Sequence, residues 1–595
     1  MNRLLCLIAY LYFCLSSCKL MDKKKPSDAD NKKFDQLLEN YYQKQIRLLP
    51  LTATQNGDNR YNDLLPVDFT DSYRSKLKMF YINYLDSLKL FPRKRLNKND
   101  CASYDIMKRE LEMNIERLGF HENYIPFNQF YALPLTIGQY GSGAGAQPFK
   151  TLKDYEDWAS RARAFSIWVD SAIIYFRKGI EENYVLPRSL VLKMIPQMEA
   201  MATIDKEKSI FYGPVKKIPA DIDSGNTKKI KEAYTRLITD QIAPAYKKLA
   251  DFLKNEYLAK ARSSSGINAL SNGEAYYDFL VRDQTTTNKS PEEIYQIGLS
   301  EVARIRGIMD SVKEAVGFKG DLPAFFEYMK TDKRFMPYKT PKEVLDAFEK
   351  IHQMMQANLN KMFTYVPKTM FEIRQTEAFR AASASAEYNQ GSADGTRPGI
   401  FYVPILDATA FNTTSGMESL FLHEAIPGHH YQISLQQEDT LLPKFRRFGG
   451  NNAYIEGWAL YCESLGKELG LYTDPYQYMG ALGDEMHRAI RLVVDVAIHT
   501  KGMTREKAIK YMMDNEAISE QGATAEIERY MAIPGQALGY KIGALKIREL
   551  RNKYQFQLGD KFSIAGFHNE ILKDGAMPLE VLEKKMDAWA ESVDK

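Results

Sequence analysis

Cysteine is scarce in this sequence, with five among 595 residues. Cys6, Cys14 and Cys18 lie close to the N-terminus, so only Cys101 and Cys462 remain in the body of the chain. Two distant thiols form neither a disulfide framework nor a cysteine-based zinc site. Any metal ion bound by this chain must therefore be held by histidine and carboxylate side chains.

An excess of charge of one sign is also lacking, because 80 basic residues stand against 76 acidic ones and leave a formal charge of +4. Nucleic-acid binding requires a clustered basic excess, so no nucleic-acid partner is expected. Residues 4–15 form the longest apolar run, and twelve residues are too few to span a bilayer as a helix. With 45% hydrophobic residues, the rest of the chain is predicted to be globular.

The N-terminal segment has the pattern of an export signal. Arg3 supplies the positive charge, residues 4–15 supply the apolar core, and "LSSC" (15–18) resembles the lipobox of bacterial lipoproteins. That resemblance implies a signal peptide at 1–18, a lipid anchor on Cys18 and a charged tether at 19–32. Lys19 is not the aspartate of the inner-membrane retention signal, which favours the outer membrane, facing the periplasm or the cell surface. An ordinary signal peptide with a chance cysteine is the alternative.

The texture of the chain is helical from residue 34 onward, with apolar residues three and four positions apart. Ser290 before Pro291 predicts the start of one helix, and residues 340–363 repeat the pattern. The best strand is "GIFYVPIL" (399–406), and the glycine-bearing segment before it predicts a loop leading into an edge strand.

The predicted fold class is therefore mainly α: one large, two-lobed helical unit at 33–595 with a cleft and a small β-sheet at its edge. A candidate boundary near residue 285 would divide it into lobes 33–285 and 286–595. The sequence shows no internal period of the kind that helical repeats produce, which argues against a helical repeat protein.

Histidines are few, eight in all, yet five of them lie between residues 423 and 499. "HEAIPGHHYQ" (423–432) begins like the H-E-x-x-H signature of zinc peptidases, but Pro427 occupies the fourth position after His423. An isolated histidine is more often a structural residue than a ligand. Clustering beside a glutamate favours a metal site.

The residues before this motif predict its helix. Ser415 and Glu418 have the spacing of a capping box, so a helix is expected to begin near Gly416. This helix would carry His423 and Glu424 about two turns in. Zinc peptidases present their first ligand and their general base in the same way.

The spacing of the next histidines does not suit a regular helix, since positions six apart are rotated by ~240° and rise ~9 Å. Pro427 removes a helical hydrogen bond, and Gly428 lowers the cost of a distortion. A bulge that absorbs two residues would return His429 to the place of the usual second ligand. His429 is therefore preferred, and His430 remains the alternative.

A third ligand must come from a neighbouring element. Residues 451–470 have a helical pattern that places Glu456 and Glu463 on an aromatic-rich side. Ordinary helix charges are the alternative for both glutamates, but the neighbouring Tyr454, Trp458 and Tyr461 make it the weaker one. "IEGWA" resembles the N-E-G-F-A block of the aminopeptidase branch of gluzincins, and that match implies that Glu456 binds the metal while Glu463 supports the ligands or a subsite.

Several blocks together resemble the bacterial family of unknown function numbered 885 (DUF885). They are "LHEAIPGHHYQ", "YIEGWALYCE", "EMHRAIRLVVDVAIH" (485–499), "ERYMAIPGQALGYKIG" (528–543) and "YYDFLVRDQTTTNKSPEEIYQIGL" (276–299). The family is grouped with the gluzincin-like zinc metallopeptidases, helical proteins with a deep cleft. The resemblance implies a peptidase in which Zn²⁺ is held by His423, His429 and Glu456.

Within that resemblance, Glu424 would be the general base that activates a water molecule against short peptides outside the cytoplasm. Tyr530 or Tyr540 would donate a hydrogen bond to the tetrahedral intermediate, as catalytic residues. Both tyrosines also have a plain structural interpretation.

The resemblance also implies substrate-binding roles for several residues. Arg488 and Arg491, one helical turn apart, would bind a substrate carboxylate, with Arg529 near them. His499, four residues after Asp495, would orient a ligand or donate to the substrate. A non-catalytic peptide-binding or structural lipoprotein on the same scaffold is the alternative function, and the sequence leaves the oligomeric state open.

Overall fold

The structure is a computed structural model that describes residues 28–376, 385–393, 395 and 397–595. The expected signal peptide, the lipidated Cys18 and most of the expected tether lie outside the described residues. The first helix begins at Asp28, so residues 28–32 of the expected tether are helical. The completely buried Phe34 holds this helix to the body of the protein.

Helices make up 68% of the chain and strands 3%, which confirms the mainly α class. The helices that precede the sheet are, in chain order, α1 (Asp28–Leu48), α2 (Pro50–Gln55), α3 (Asp71–Lys89), α4 (Lys98–Arg117), α5 (Leu133–Gly141), α6 (Leu152–Glu181), α7 (Arg188–Met201), α8 (Ser224–Leu237), α9 (Ala243–Asn255), α10 (Gly273–Thr285), α11 (Pro291–Ala315), α12 (Leu322–Thr331) and α13 (Pro341–Met362).

The helices that follow the sheet carry the residues of the histidine motif and its surroundings. They are α14 (Met417–Glu424), α15 (His429–Glu438), α16 (Lys444–Arg447), α17 (Asn452–Glu463), α18 (Pro475–Thr500), α19 (Arg505–Asn515), α20 (Glu520–Ala532), α21 (Leu538–Leu558), α22 (Ile564–Leu572) and α23 (Leu579–Asp594).

The predicted helix starts after residue 285 are confirmed in detail. The Ser290 side chain accepts from the backbone of Glu293, and the Glu293 carboxylate accepts in return, so that a complete capping box opens α11. Thr340 caps α13 through the backbone N–H of Glu343. A proline occupies the first turn of both helices, where its missing N–H costs nothing.

The sheet has three strands, β1 (Phe371–Gln375), β2 (Glu387–Asn389) and β3 (Gly399–Val403), in the order β1-β3-β2. β3 pairs in parallel with β1 and antiparallel with β2. The strand predicted at 399–406 exists, but it lies at the centre of the sheet and not at an edge. Its side chains are almost all buried and do not alternate between buried and exposed, which is typical of a central strand.

Apolar side chains form two large cores and a smaller third one. The first large core combines α6, α7 and α9 with α11 and one face of α18; the second combines α10, α13, α14 and α17 with α21. The third joins α1, α3 and α4 to Phe445. Both large cores draw on residues from either side of position 285, where a lobe boundary was expected.

Helix α18 contributes to both large cores, with Val493 in the first and Leu492 in the second. It is buried along most of its length and packs against α11, α14 and α20. This central helix brings Arg488 and Arg491 close to the histidine motif. Among the described residues, no helix is both long and apolar enough to cross a membrane.

Candidate metal centre

The histidine motif lies on two short helices and not on one bulged helix. α14 ends at Glu424, and α15 begins at His429 after a turn at 425–428. The expected start of α14 near Gly416 is confirmed, but the expected capping box is wrong. Gly416 is the N-cap in the left-handed region (φ +78°), and the Ser415 hydroxyl donates instead to the carbonyl of Asn412.

The break between the helices is closely packed. A Cβ atom on Gly428 would lie 1.9 Å from the carbonyl oxygen of His423, so only glycine fits at this position. The indole N–H of Trp458 donates to the carbonyl oxygen of Pro427 at 2.9 Å. The turn that replaces the expected bulge is therefore held by α17, the same helix that carries Glu456.

Three donor atoms meet at this turn. The ligand atoms of His423, His429 and Glu456 all lie within 4.8 Å of one another. Glu456 Oε2 lies 3.5 Å from His423 Nε2 and 3.4 Å from His429 Nε2. The two imidazole rings are nearly perpendicular, with centroids 4.7 Å apart. Two imidazoles and one carboxylate are a donor set that suits zinc.

Glu463 holds the first histidine from behind. It lies seven residues after Glu456, on the same face of α17, and its Oε1 is 2.7 Å from His423 Nδ1. The carboxylate fixes the ring so that Nε2 faces Glu456 and His429, an arrangement common behind histidine ligands of metals. His429 Nδ1 has no such partner among the described residues.

His430 points away from this centre. Its Nδ1 lies 3.0 Å from the Tyr388 hydroxyl and 3.3 Å from Ser434 Oγ, and its ring packs against Phe371. Burial lowers its pKa to about 4. Of the two adjacent histidines, the geometry therefore brings only His429 into the donor cluster.

Electrostatics also favour a cation in the centre. Burial alone would lower the pKa of His423, but Glu456 and Glu463 outweigh it and raise that pKa to about 10. Burial alone would raise the pKa of Glu456, but His429 and His423 hold it well below its usual range. The two carboxylates thus make this point of the structure favourable for a positive charge.

Glu424 lies at the end of α14, next to His423 in the chain. Its Oε2 accepts a hydrogen bond of 2.9 Å from the backbone N–H of Tyr388, on the edge strand β2. Burial raises the pKa of Glu424, although His423 and His429 partly oppose the shift. The carboxyl is thus oriented by the sheet and more basic than an exposed glutamate.

The predicted substrate arginines form a second cluster close to the centre. Arg488 lies 3.8 Å from Glu463 Oε1, the same oxygen that binds His423. Arg491 lies 3.0 Å from Glu526 and 4.7 Å from the ring centre of Tyr540. Arg529 lies 3.6 Å from Glu526.

The two candidate catalytic tyrosines differ in their surroundings. Tyr530 is completely buried, donates to Glu526 at 2.6 Å and accepts from Arg491 at 3.0 Å. Its hydroxyl proton is therefore already donated to a carboxylate. Tyr540 accepts a hydrogen bond from Arg529 at 3.4 Å, which leaves its own hydroxyl proton to donate.

His499 has a structural position, contrary to expectation. It is completely buried; its Nδ1 accepts from the backbone of Ile267 at 3.1 Å and its Nε2 donates to the carbonyl of Tyr530 at 3.1 Å. Burial lowers its pKa to about 3. The Asp495 carboxylate accepts hydrogen bonds from Tyr277 and Gly535. No ring nitrogen of His499 is left for a substrate.

Sequence reasoning missed Tyr388 and Glu526. Tyr388 contacts Glu424 through its backbone and His430 through its hydroxyl, and neither contact has a local sequence signature. Glu526 joins Arg491, Arg529 and His487. Glu526 lies three residues before Arg529 on one helix face, and this spacing is a sequence signal for their ion pair.

The structure thus defines a helical protein with a buried two-histidine, one-carboxylate centre beside a glutamate. The chain belongs to the DUF885 family: the family model, described as a bacterial protein of unknown function, matches residues 50–586. No curated protein matches the sequence.

Solved structures show the same fold. A candidate lipoprotein from Colwellia psychrerythraea has a TM-score of 0.87 and 28% identity, over 95% of this chain and 99% of that one. A candidate lipoprotein of unknown function from Shewanella oneidensis has a TM-score of 0.73 and 19% identity, over 93% and 99%. A carboxypeptidase from Pyrococcus furiosus reaches a TM-score of only 0.33 at 11% identity, over 89% and 99%, which supports no inference.

Proposed function

We propose that this protein is a gluzincin-like zinc peptidase that hydrolyses peptide bonds of short peptides outside the cytoplasm. The observation that carries the proposal is the meeting of His423, His429 and Glu456 within 4.8 Å, with Glu424 directly after the first histidine. Catalytic zinc sites in hydrolases use three protein ligands and leave one position open. The residues at this centre fit that arrangement in number and in type.

The chemistry follows from the residues around the centre. A zinc ion held there would act as a Lewis acid and lower the pKa of water to about 7. Glu424 would accept a proton from the attacking water and deliver it to the leaving amine. The Tyr388 backbone N–H fixes the direction of the carboxylate.

Tyr540 is the better of the two tyrosines for stabilising the tetrahedral intermediate. Its hydroxyl proton is not donated to any described residue, whereas the Tyr530 proton is held by Glu526. α21, which begins just before Tyr540, packs closely along α17 and its ligand Glu456. A donor in this place would strengthen its hydrogen bond as charge develops on the carbonyl oxygen.

The place of action follows from the N-terminus. Cys18 in "LSSC" would carry the lipid anchor, and Lys19 after it favours the outer membrane, facing the periplasm or the cell surface. Two relatives of known structure are themselves described as candidate lipoproteins. Peptides and the membrane would therefore be the partners of this protein, and nucleic acid would not.

The experiment that tests the proposal combines metal analysis with peptide hydrolysis. The full chain is purified in detergent, its zinc content per chain is measured, and a library of short peptides is assayed. We expect one zinc ion per chain, hydrolysis by the wild type, and a loss of about 10²- to 10⁴-fold in kcat in Glu424→Gln, which keeps the zinc.

Two results would count against the proposal. A folded wild type that binds no zinc and is indifferent to chelators would support a structural lipoprotein. Full zinc content without hydrolysis of any peptide would favour a non-catalytic binding protein on the same scaffold, for which the base Glu424 would have no chemical purpose.

A further inference from the structure

The arginine cluster, defined by Arg488, Arg491 and Arg529, is not explained by the hydrolytic chemistry. α18 places the first two arginines one turn apart, and α20 brings the third beside them. Arg488 and His423 contact the same oxygen, Glu463 Oε1. The Glu463 carboxylate thus links the arginine cluster to the candidate ligand His423.

Each arginine has a buried N–H group without a hydrogen-bond partner. Within the part of the chain that the structure describes, these nitrogens are Arg488 Nε, Arg491 Nη1 and Arg529 Nε. The Arg491 side chain is only 6% exposed. Leaving a buried donor of a charged group unsatisfied is costly, and a ligand with oxygen acceptors would supply the missing partners.

The acids around the cluster do not neutralise it fully. Glu526 serves Arg491, Arg529 and His487 at the same time. His487 is further paired with Glu516 at 2.9 Å, so the Glu516 carboxylate is engaged by this histidine and not by an arginine of the cluster.

The acids near Arg488 are weak partners for it. Asp484 lies at 3.5 Å and Glu463 at 3.8 Å, both longer than a good charge-assisted hydrogen bond. Glu463 is already engaged by His423 at 2.7 Å. A ligand that brings one further negative charge would therefore find an excess of guanidinium donors.

A cavity opens beside Arg488. Its volume is about 510 Å³, which is in the range of small-ligand sites, and its lining includes Arg488, His487, Met309, Phe326 and Met329. The lining also includes Lys330, Asp484 and Glu516, so charged groups of both signs lie beside the apolar walls. The apolar walls would cover the last side chain of a peptide, while Arg488 would bind its carboxylate. Arginine binds carboxylates through paired N–H groups, which gives direction as well as affinity.

We propose that Arg488, Arg491 and Arg529 bind the free C-terminal carboxylate of the substrate, so that this protein is an exopeptidase acting at the C-terminus. The inference rests on the proposed peptidase function. In each turnover, one water adds across the C–N bond: its oxygen joins the carbonyl carbon, one proton goes to the leaving amine, and a short C-terminal fragment is released.

The test compares matched peptides that differ only at the C-terminus, with the zinc-loaded full chain in detergent. One peptide has a free carboxylate, the second is its amide, and the third is an amide with glutamate as the last residue. We expect kcat/KM to fall by about 10- to 100-fold on amidation, the size of a lost charge-assisted hydrogen bond. The third peptide should remain as poor as the second.

The outcomes separate the two proposals. Hydrolysis of none of the peptides would overturn the peptidase function itself. Equal hydrolysis of the free and amidated peptides would overturn only the exopeptidase inference. Restored hydrolysis of the glutamate amide would show that the cluster binds acidic side chains. This result would also overturn specificity for a free C-terminal carboxylate.

Variants test whether the arginine cluster causes the fall in kcat/KM on amidation. Arg488→Gln and Arg529→Gln should lower kcat/KM for the free peptide more than for the amide, so that the ratio of the two values falls. Arg551→Gln is the matched control, because Arg551 is also largely buried but is fully paired with Glu468. An equal loss on both peptides in the cluster variants would indicate a purely structural role and contradict the inference.

A measurement on the wild type covers the case in which a variant does not fold. An N-acetyl amino acid should inhibit the enzyme competitively, and its amide should inhibit at least about 10-fold more weakly. Equal inhibition by the two compounds would overturn carboxylate binding by the cluster.

Discussion

Gly428 determines where the second histidine of the motif lies. Its Cα packs on the carbonyl of His423 so closely that a methyl group has no room, and the contact is with backbone, which cannot move aside cheaply. Pro427 ends the helical hydrogen bonding, and Gly428 permits the close approach that starts α15 at His429. Together the two residues turn a spacing unsuited to a regular helix into one that brings both imidazoles to one point.

Gly428→Ala should therefore displace His429 and reduce zinc binding. We expect a loss of about 2–4 kcal/mol in the free energy of unfolding, because the new methyl group meets backbone at 1.9 Å. Zinc content and thermal unfolding measure the two effects. Gly307→Ala is the control, since its Cβ would meet nothing within 4 Å and alanine is the better helix former. Full zinc content in Gly428→Ala would contradict this account of the turn.

The two adjacent histidines should respond differently to removal. His429→Ala should abolish zinc binding, because one of three donors is lost. His430→Ala should keep its zinc and lose only packing with Phe371 and the hydrogen bond to Tyr388. Zinc analysis of the two folded variants distinguishes them. The opposite pattern would assign the ligand role to His430.

The side chains of the centre could be found from the sequence, but their contacts could not. His423, Glu424 and Glu456 are marked by residue type and by helical spacing. The position of His429 depends on a turn whose geometry arises from the contact between Pro427 and Trp458, which is distant in the chain. Long-range contacts of this kind, like the backbone contact of Tyr388 with Glu424, leave no local pattern.

At the scale of helices, the contact between α17 and α21 positions Glu456. A Cβ atom on Gly543 would lie 1.8 Å from the carbonyl of Ala453, and one on Gly457 would lie 2.5 Å from the Cα of Gly543. The two backbones therefore touch directly. This close packing brings the first turn of α21, with Tyr540, beside the helix that carries Glu456 and Glu463.

Helix α18 carries a buried acid whose ionisation opposes folding. Burial raises the pKa of Asp495 to about 7, despite hydrogen bonds from Tyr277 and Gly535, whereas an unfolded aspartate titrates near 3.9. Between these values the folded chain binds more protons. The stability contributed by the neutral carboxyl is thus present in full below about pH 4 and is lost as the pH rises through about 7.

Asp495→Asn should remove this pH dependence, since the amide does not titrate. We expect the variant to gain stability relative to the wild type by on the order of 2 kcal/mol between pH 5 and pH 8. Chemical unfolding at both pH values measures the difference. Tyr277→Phe, which removes the hydroxyl but keeps the carboxyl, should retain the pH dependence of the wild type. A difference that does not change with pH would show that Asp495 is ionised throughout.

At the scale of the whole molecule, the mainly α fold class was predictable from the sequence, but the arrangement of the apolar cores was not. Helical periodicity and caps such as Ser290 mark the elements, because these signals are local. The two large cores were not foreseeable, since α18 belongs to both and α10 packs with α17 and α21, which lie far along the chain. Which apolar faces meet depends on the whole chain.

The metal centre joins α14, α15 and α17, three helices of one core, so zinc should stabilise the whole fold. A ligand that binds only the folded state adds RT ln(1 + [L]/Kd) to the free energy of unfolding, about 4 kcal/mol at a thousand times Kd. For a chain of this length we expect an increase in Tm of about 3 °C on zinc addition and its loss with chelator. Scanning calorimetry with and without zinc measures this shift. Glu424→Gln should keep the shift, because its carboxyl is not a ligand, whereas His429→Ala should lose it. A wild type whose Tm is the same in zinc and in chelator would contradict metal binding at the three ligands, whatever its activity.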